Sequence, residues 1–317
     1  VASAAEAWAS AHRAGQSFTQ KNTRTEMCSL NGCLVRCVTG QGRSRLMENP
    51  HAYKLPDGNV LISFSGGRTS GYMLHQIFEA NGSLPDHCKV VFCNTGMEDS
   101  GTLDFVQECS QRWNVPIVWL EYGRIDNKVT FREVSHNSAS RHGEPFKTLI
   151  DSKGGYLPNQ QVRYCTQEMK VLTIKRYLVS LGWGQWSNTV GIRADEAHRV
   201  KQSGEKRWQN WYPLASAQAT QRTVMDFWKS QSFDLEIMPG AGNCSGCFLK
   251  SEATLAAMWR EKPDHMQWWA DMEQASGQQF HKNRTYRELG DFVDRQGDWI
   301  FSDQGFLCQA NGGECTS

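Results

Sequence analysis

The sequence predicts an α/β fold, a doubly wound and mostly parallel sheet followed by a helical, cysteine-containing C-terminal region. Three observations carry that prediction. Short β-branched runs alternate with helix-length amphipathic segments from Val60 onward. The first run ends in Ser65-Gly66-Gly67-Arg68-Thr69-Ser70, a small-residue turn that opens a helix. After about residue 235 the alternation stops, and Cys244-Ser245-Gly246-Cys247 precedes two helical patterns.

Taken in order, residues 1–46 read as an extension. They are rich in Ala, Ser, Thr, Gln and Arg, with one short helical pattern at Ala4–Ala11 and three irregularly spaced cysteines, Cys28, Cys33 and Cys37. Met47-Glu48-Asn49-Pro50 would be a natural beginning, so the segment reads as an appendage or as sequence upstream of the true start. Residues 47–235 form the α/β domain. Val60–Phe64 is a buried parallel strand, and Met73, Leu74, Ile77 and Phe78 mark one face of the helix after it. Lys89–Cys93 is a second strand, followed by a helix with Leu103, Val106 and Cys109 inward; Pro116–Leu120 is a third. Residues 121–163 lack periodicity and read as a long loop with short helical pieces. Gln167–Leu181 reads as a helix, Thr189–Ile192 as a strand and Thr223–Ser230 as a helix. In the C-terminal region, 236–317, Ser251–Arg260 and the segment from Pro263 read as helices, and the tail carries Cys308 and Cys315.

The bulk numbers exclude some classes. A chain of 317 residues suffices for one large domain and a smaller one. Its net charge of +1 gives no global support for a nucleic-acid or membrane partner. With no long apolar run and no signal-like stretch, the expected location is the cytoplasm. Eleven cysteines, several of them clustered, point in a reducing compartment to metal or redox chemistry over a disulfide framework. Twelve tryptophans suggest a large aromatic core, with base stacking as the alternative.

The turn at residues 65–70 is the chemical centre of this reading. Two glycines let the backbone turn sharply, and the hydroxyls of Ser65, Thr69 and Ser70 sit beside the unpaired N–H groups of a helix N-terminus. That is an anion site suited to phosphate. Neither GxxxxGK[ST] nor GxGxxG spacing is present. The end of the second strand brings Asn94–Glu98 to the same edge of the sheet, so both stretches can face one pocket.

Five pieces in order carry a family resemblance: Ser65–Ser70; Asn94-Thr95-Gly96-Met97-Glu98; Arg163-Tyr164-Cys165-Thr166 with Lys170; Gly191-Ile192-Arg193-Ala194-Asp195-Glu196 with Arg199; and Tyr212-Pro213-Leu214. Over roughly residues 58–250 the chain resembles the phosphoadenosine phosphosulfate (PAPS) reductase family of PP-loop proteins, the adenine nucleotide alpha hydrolases. The resemblance implies a Rossmann-like PP-loop fold that binds ATP or an adenylyl nucleotide. Ser65, Gly66, Gly67, Thr69 and Ser70 would cradle phosphates. Arg68, where the family has other loop versions, keeps a positive charge and a bidentate fork. Asn94, Thr95, Gly96, Arg163, Thr166, Lys170 and Gly191 would complete the nucleotide site. Arg193 and Arg199 would bind phosphate or sulfate, a surface ion pair being the alternative for each. Glu98 and Asp195 would help to hold Mg²⁺, a solvated loop carboxylate being the alternative for each.

The resemblance splits on chemistry. The tail Gly313-Glu314-Cys315-Thr316-Ser317 keeps Glu-Cys but not the Glu-Cys-Gly-Leu-His of thioredoxin-dependent reductases, and Tyr164-Cys165 stands where cluster-containing reductases have paired cysteines. Cys165, Cys244, Cys247 and Cys315, with Cys308 as alternate, would supply four thiolates, a set that suits zinc or a [4Fe–4S] cluster, and the resemblance favours the cluster. Three cysteines with one open iron, or a bare redox Cys-x-x-Cys, are the other arrangements. The first reading is therefore an enzyme that adenylates its substrate, releases pyrophosphate and transfers sulfur, with Cys165, Arg193 and Arg68 catalytic. Its partners would be a sulfur donor or reductant protein and an acceptor that is tRNA, DNA or a small molecule. The alternatives are a reductase releasing sulfite from adenylyl sulfate or PAPS, and a non-enzymatic nucleotide-binding module with a structural cluster.

Overall fold

The computed structural model of the chain describes residues 50–296, apart from 202–204 and 243, and the backbone of one hairpin further upstream. The chain divides into two compact units after Met47. In the first, β1 (Met27–Leu30) pairs antiparallel with β2 (Cys33–Arg36), so Cys28 and Cys33 lie on strands. Cys37 and the helical pattern at Ala4–Ala11 lie outside the described residues, as do Cys308 and Cys315.

The second unit is built on a six-stranded sheet. Its strands are β3 (Val60–Ser63), β4 (Cys88–Asn94), β5 (Ile117–Ile125), β6 (Lys128–Val134), β7 (Trp186–Thr189) and β8 (Trp208–Trp211), in the order β6-β5-β4-β3-β7-β8. All neighbours are parallel except β6, which runs antiparallel to β5. The chain winds outward from β3 through β4 to β5, then returns to the other side of β3 with β7. The topological switch point therefore lies between β3 and β7, where ligands of such sheets bind.

Both faces of the central strands are buried, as their unbroken apolar runs require. On one face Val60, Ile62, Phe64, Val90 and Phe92 pack with helices α1 (Arg68–Asn81), α2 (Ser100–Trp113) and α7 (Gln221–Ser230). Met73, Leu74 and Ile77 of α1 are fully buried, each contributing about 1.5–3 kcal/mol. On the other face Leu61, Val91, Cys93 and Leu120 meet Ile174, Tyr177 and Leu178. A further core joins α3 (Glu144–Ser152) to α8 (Glu252–Glu261), α9 (Pro263–Ser276) and α10 (Tyr286–Gln296) through Phe146, Leu149, Leu255, Met266, Trp269, Phe280 and Leu289.

The architecture agrees with the predicted class, and five elements differ from the sequence reading. Residues 121–163 are not mainly loop: β5 continues to Ile125 and turns through Asp126 and Asn127, with φ of 50° and 60°, into β6. Two residues with positive φ make the turn type that suits a tight hairpin. The expected strand at Thr189–Ile192 lies earlier, at Trp186–Thr189, where Ser187 and Asn188 hide the β pattern. The helix expected at Gln167–Leu181 begins as α4 (Tyr164–Thr166), widens into a π-helical turn over Gln167–Leu172 and resumes as α5 (Thr173–Ser180). Strand β8 and helix α10, the fourth and fifth differences, have no counterpart in the sequence reading. The short helix α6 (Pro213–Ser216) follows Tyr212, the residue at which the Tyr-Pro-Leu motif begins.

Candidate active site

The loop at Ser65–Ser70 lies between the end of β3 and α1, at the switch point. Gly66 has φ of 79°, and a Cβ there would lie 2.7 Å from Thr102 Cγ2 and 3.1 Å from Phe92. Only glycine fits this turn. Gly67 is the N-cap of α1. The Ser70 hydroxyl accepts from Gly67 N at 3.2 Å and from the Ser65 hydroxyl at 2.9 Å, and donates to Gly67 O at 2.9 Å. The loop is thus braced from within, and the first turn of α1 presents its amides at the carboxyl end of the sheet.

Arg193, 3% exposed, follows β7 across the switch point. Its Nη1 donates to Thr69 Oγ1 at 3.1 Å, Nε pairs with Asp195 at 3.1 Å and Nη2 with Glu196 at 3.2 Å. Buried Glu196 also holds Arg199. So Thr69, Arg193, Glu196 and Arg199 form one chain of polar contacts. Arg68 is placed differently from the expectation that its fork faces phosphate. Nε and Nη2 bind the two oxygens of Asp234 at 2.7 and 3.0 Å, and Nη2 also donates to Leu235 O at 2.7 Å. Its fork ties residues 234–235 to the loop.

The Asn94–Glu98 turn is held from below by Glu121, a fully buried carboxylate on β5. Glu121 accepts from Asn94 Nδ2, Arg132 Nη2 and Ser140 N, each at 2.7 Å, and from Ser140 Oγ at 3.0 Å. Asn94 Oδ1 in turn accepts from Gly96 N at 3.0 Å. Gly96 has φ of 80°, and a Cβ there would come 2.9 Å from Pro145. Glu98 Oε2 accepts from Thr95 N and Oγ1 at 2.8 Å each, which braces the turn. Asp195 is engaged likewise by Arg193.

Cys165, Cys244 and Cys247, far apart in sequence, line one small cavity together with Thr95, Arg163, Thr166, Lys170, Phe146, Phe248 and Trp269. The Cys244 turn is zipped onto the Asn94–Glu98 turn: Ser245 N donates to Met97 O at 2.8 Å, and Cys244 Sγ lies 3.4 Å from Thr95 Oγ1 and 3.8 Å from Glu98 Oε1. Gly246 is required because a Cβ would stand 2.2 Å from Trp269 Nε1. Lys250 Nζ donates to the carbonyls of Gly240, Ala241 and Gly242, and Tyr286 OH donates to Gly246 O, fixing both sides of the turn. Deeper in the sheet, burial pushes the Cys93 thiol up to about 12, which marks it as an inert core thiol.

The donor set of this cavity fits a thiophilic group. It holds three thiols and the Met169 thioether, two cations and no carboxylate, and Trp269 Nε1 is a buried donor with no hydrogen-bond partner. Among the described residues no group of three or more His, Cys, Asp or Glu side chains is already drawn together as a metal cage. The structure therefore brings together the loop with Arg193, and separately Cys165, Cys244 and Cys247 with Thr95, Arg163, Thr166 and Lys170. Arg199 lines a different cleft, and a Cβ added at Gly191 would lie 3.7 Å from Met73 Sδ and 3.9 Å from Thr69 Cγ2, ordinary contact distances. Sequence reasoning missed Glu121, Asp234 and Trp269. A glutamate inside an otherwise apolar strand was the available signal for the first; the other two carry none outside the fold.

The profile of the phosphoadenosine phosphosulfate reductase domain family matches residues 59–218. "Uncharacterized nin region protein ORF290" of Escherichia phage lambda is 29% identical over 198 residues, 60% of this chain and 66% of that protein, so the chain covers less than two thirds of this relative's length. Among solved structures, a phosphoadenylyl-sulfate (PAPS) reductase from Candida auris in complex with phosphate is similar with a TM-score of 0.37 and 14% identity, over 54% of this chain and 71% of that one. The U34-tRNA thiolase NcsA from Methanococcus maripaludis with its [4Fe-4S] cluster is similar with a TM-score of 0.38 and 12% identity, over 78% and 85%. Among the described residues no helix is long and apolar enough to cross a membrane. With its family profile spanning half of the sequence, from β3 through α6, the chain belongs to the phosphoadenosine phosphosulfate reductase domain family.

Proposed function

We propose that this protein is an adenine-nucleotide-dependent enzyme of sulfur chemistry. The observation that carries the reading is the adjacency of two sites: the braced loop at the switch point, and the three-cysteine cavity whose wall includes Thr95 from the next strand end. The amides at the start of α1 bind the phosphates of ATP or an adenylyl nucleotide, and Arg193 sets the loop through Thr69 while adding positive charge. Arg68 acts through Asp234, as a positioning residue.

In the favoured reaction a substrate oxygen bonds to the α-phosphorus of ATP and the bond to the bridging oxygen breaks, releasing pyrophosphate. The outer sulfur of a donor's persulfide then bonds to the activated carbon as AMP departs. A thiol of the donor or of a reductant attacks the donor sulfur, breaking the S–S bond, forming a disulfide with the donor and leaving the sulfur on the product. Lys170 and Arg163, on the cavity wall, hold anionic groups near Cys165, the cysteine beside the Arg-Tyr-Cys-Thr motif. Cys165, Cys244 and Cys247 would hold an iron–sulfur cluster, whose chemistry when bound is to offer an iron site for sulfur. Mg²⁺ would travel with the nucleotide phosphates, keeping several of its waters.

The family match favours a second reading, reduction of an adenylyl sulfate with release of sulfite. Anaerobically purified protein given ATP, a persulfide donor and tRNA or DNA as acceptor, or adenylyl sulfate and PAPS with a dithiol reductant, separates the two. Pyrophosphate and AMP in the first mixture support the favoured reaction. Sulfite in the second points to the reductase. Tight nucleotide binding without any product leaves a binding module and removes both.

A further inference from the structure

On the face of the sheet covered by α5, strands β7 and β8 extend beyond the helix and leave a cleft of about 520 Å³. That volume lies inside the range of small-ligand sites. Its lining includes Trp186, Trp208, Tyr212, Asn188, Asn210 and Ser63, with Lys175, His198, Arg199 and Lys201, and no carboxylate. Trp186 and Trp208 are stacked, with centroids 5.2 Å apart and 20° between planes, and Lys175 Nζ stands 5.7 Å over the Trp208 ring.

The floor is a ladder of side-chain amides across three parallel strands. Ser63 Oγ donates to Asn188 Oδ1 at 3.2 Å, and Asn188 Nδ2 donates to Asn210 Oδ1 at 3.1 Å. Asn210 Nδ2 donates to Tyr212 OH at 3.0 Å and Lys201 O at 3.3 Å. Asparagine is depleted in strands, and here two neighbours sit in register, Asn188 opposite Asn210. A local rule broken twice at one place marks a site. The ladder uses one acceptor and one donor of Asn188, leaving the other amide proton and lone pair for an occupant.

We propose that this cleft is a nucleobase site. The base stacks on Trp208, backed by the buried Trp186, its polar edge meets the asparagine ladder, and its phosphate lies among Lys175, Lys201 and His198, so the occupant is a nucleotide other than the one on the loop. The cleft deepens the nucleotide reading above without using any loop residue. Two sources share this chemistry, the base of a free adenine nucleotide and one base of a single-stranded acceptor.

The test is equilibrium binding of two probes, ATP by calorimetry and a labelled single-stranded oligonucleotide by anisotropy. The proteins are wild type, Trp208→Ala, Trp208→Phe, the double variant Lys175→Ala/Lys201→Ala, and Gly66→Ala. The proposal expects at least one probe to bind about tenfold more weakly to Trp208→Ala, with recovery in Trp208→Phe, and more weakly to the lysine variant. A response of ATP assigns the cleft to the free nucleotide; a response of the oligonucleotide alone assigns it to an acceptor strand. Unchanged affinity of both probes in Trp208→Ala and the lysine variant, with thermal unfolding showing them folded, overturns the proposal, as does failure of both probes to bind wild type. If Gly66→Ala binds ATP as wild type does while Trp208→Ala does not, the loop reading fails and the cleft stands.

Discussion

Single residues carry much of the geometry. Gly66 holds a backbone conformation that side chains rarely adopt, against a wall 2.7 Å from where a Cβ would be. Gly66→Ala is expected to cost about 1–3 kcal/mol, read by chemical denaturation, and to weaken nucleotide binding further. Arg193 bridges Thr69, Asp195 and Glu196. Arg193→Ala leaves the buried Glu196 with Arg199 alone, an expected loss of about 3 kcal/mol in the same measurement. Glu273 accepts from the backbone N–H groups of Phe280 and Tyr286, and burial pushes its carboxyl up to about 7 from an ordinary 4.5. Between those values the folded chain binds more protons than the unfolded one, so stability falls as pH rises through the window. Glu273→Gln should flatten that slope, and an unchanged slope in denaturation midpoints across pH 4.5–7 would remove Glu273 as its source.

At the scale of elements, the π-helical turn at Gln167–Leu172 stands between Cys165 and α5 and sets which way the cysteine faces. Such turns hold one extra residue and recur at functional sites. Deleting Val171 should restore a regular helix and rotate Cys165 by about 100° relative to α5. The expected outcome is unchanged helicity by circular dichroism, with loss of the dibromobimane cross-link from Cys165 to Cys244 or Cys247. The same segment shows where sequence is readable and where it is not. The helix was legible from Met169, Ile174 and Leu178; the bulge was not, because it changes register without changing composition. The core strands β3 and β4 were legible because burial on both faces demands continuous apolar runs. The β5–β6 hairpin was missed because its outer strand is half exposed and carries Lys128, Arg132 and Glu133, although Asp126-Asn127 supplied a turn signal. Strand β7 was misplaced by its own Asn188, a residue explained better by the cleft than by the sheet.

Across the whole molecule, sequence order says little about which chemical groups meet. The loop, the Asn94–Glu98 turn, Cys165, Arg193 and the Cys244 turn come from separate segments; the parallel sheet collects the first two and Arg193 at its strand ends, and the Cys244 turn is tied on through Met97. The motifs themselves were legible, being local. Their division into a phosphate loop with Arg193, a thiol cavity and a separate cleft holding Arg199 was not, because it depends on which face of the sheet each side chain occupies. Nor was the engagement of Arg68 by Asp234, a contact over 166 positions of sequence. The central claim is that an adenine nucleotide sits on the loop at the switch point. Hydrogen–deuterium exchange with and without saturating ATP tests it most directly. The account predicts slowed exchange at the amides of residues 65–70 and 94–97 when ATP is bound. ATP that fails to bind, or that binds while these amides exchange as before, would contradict it.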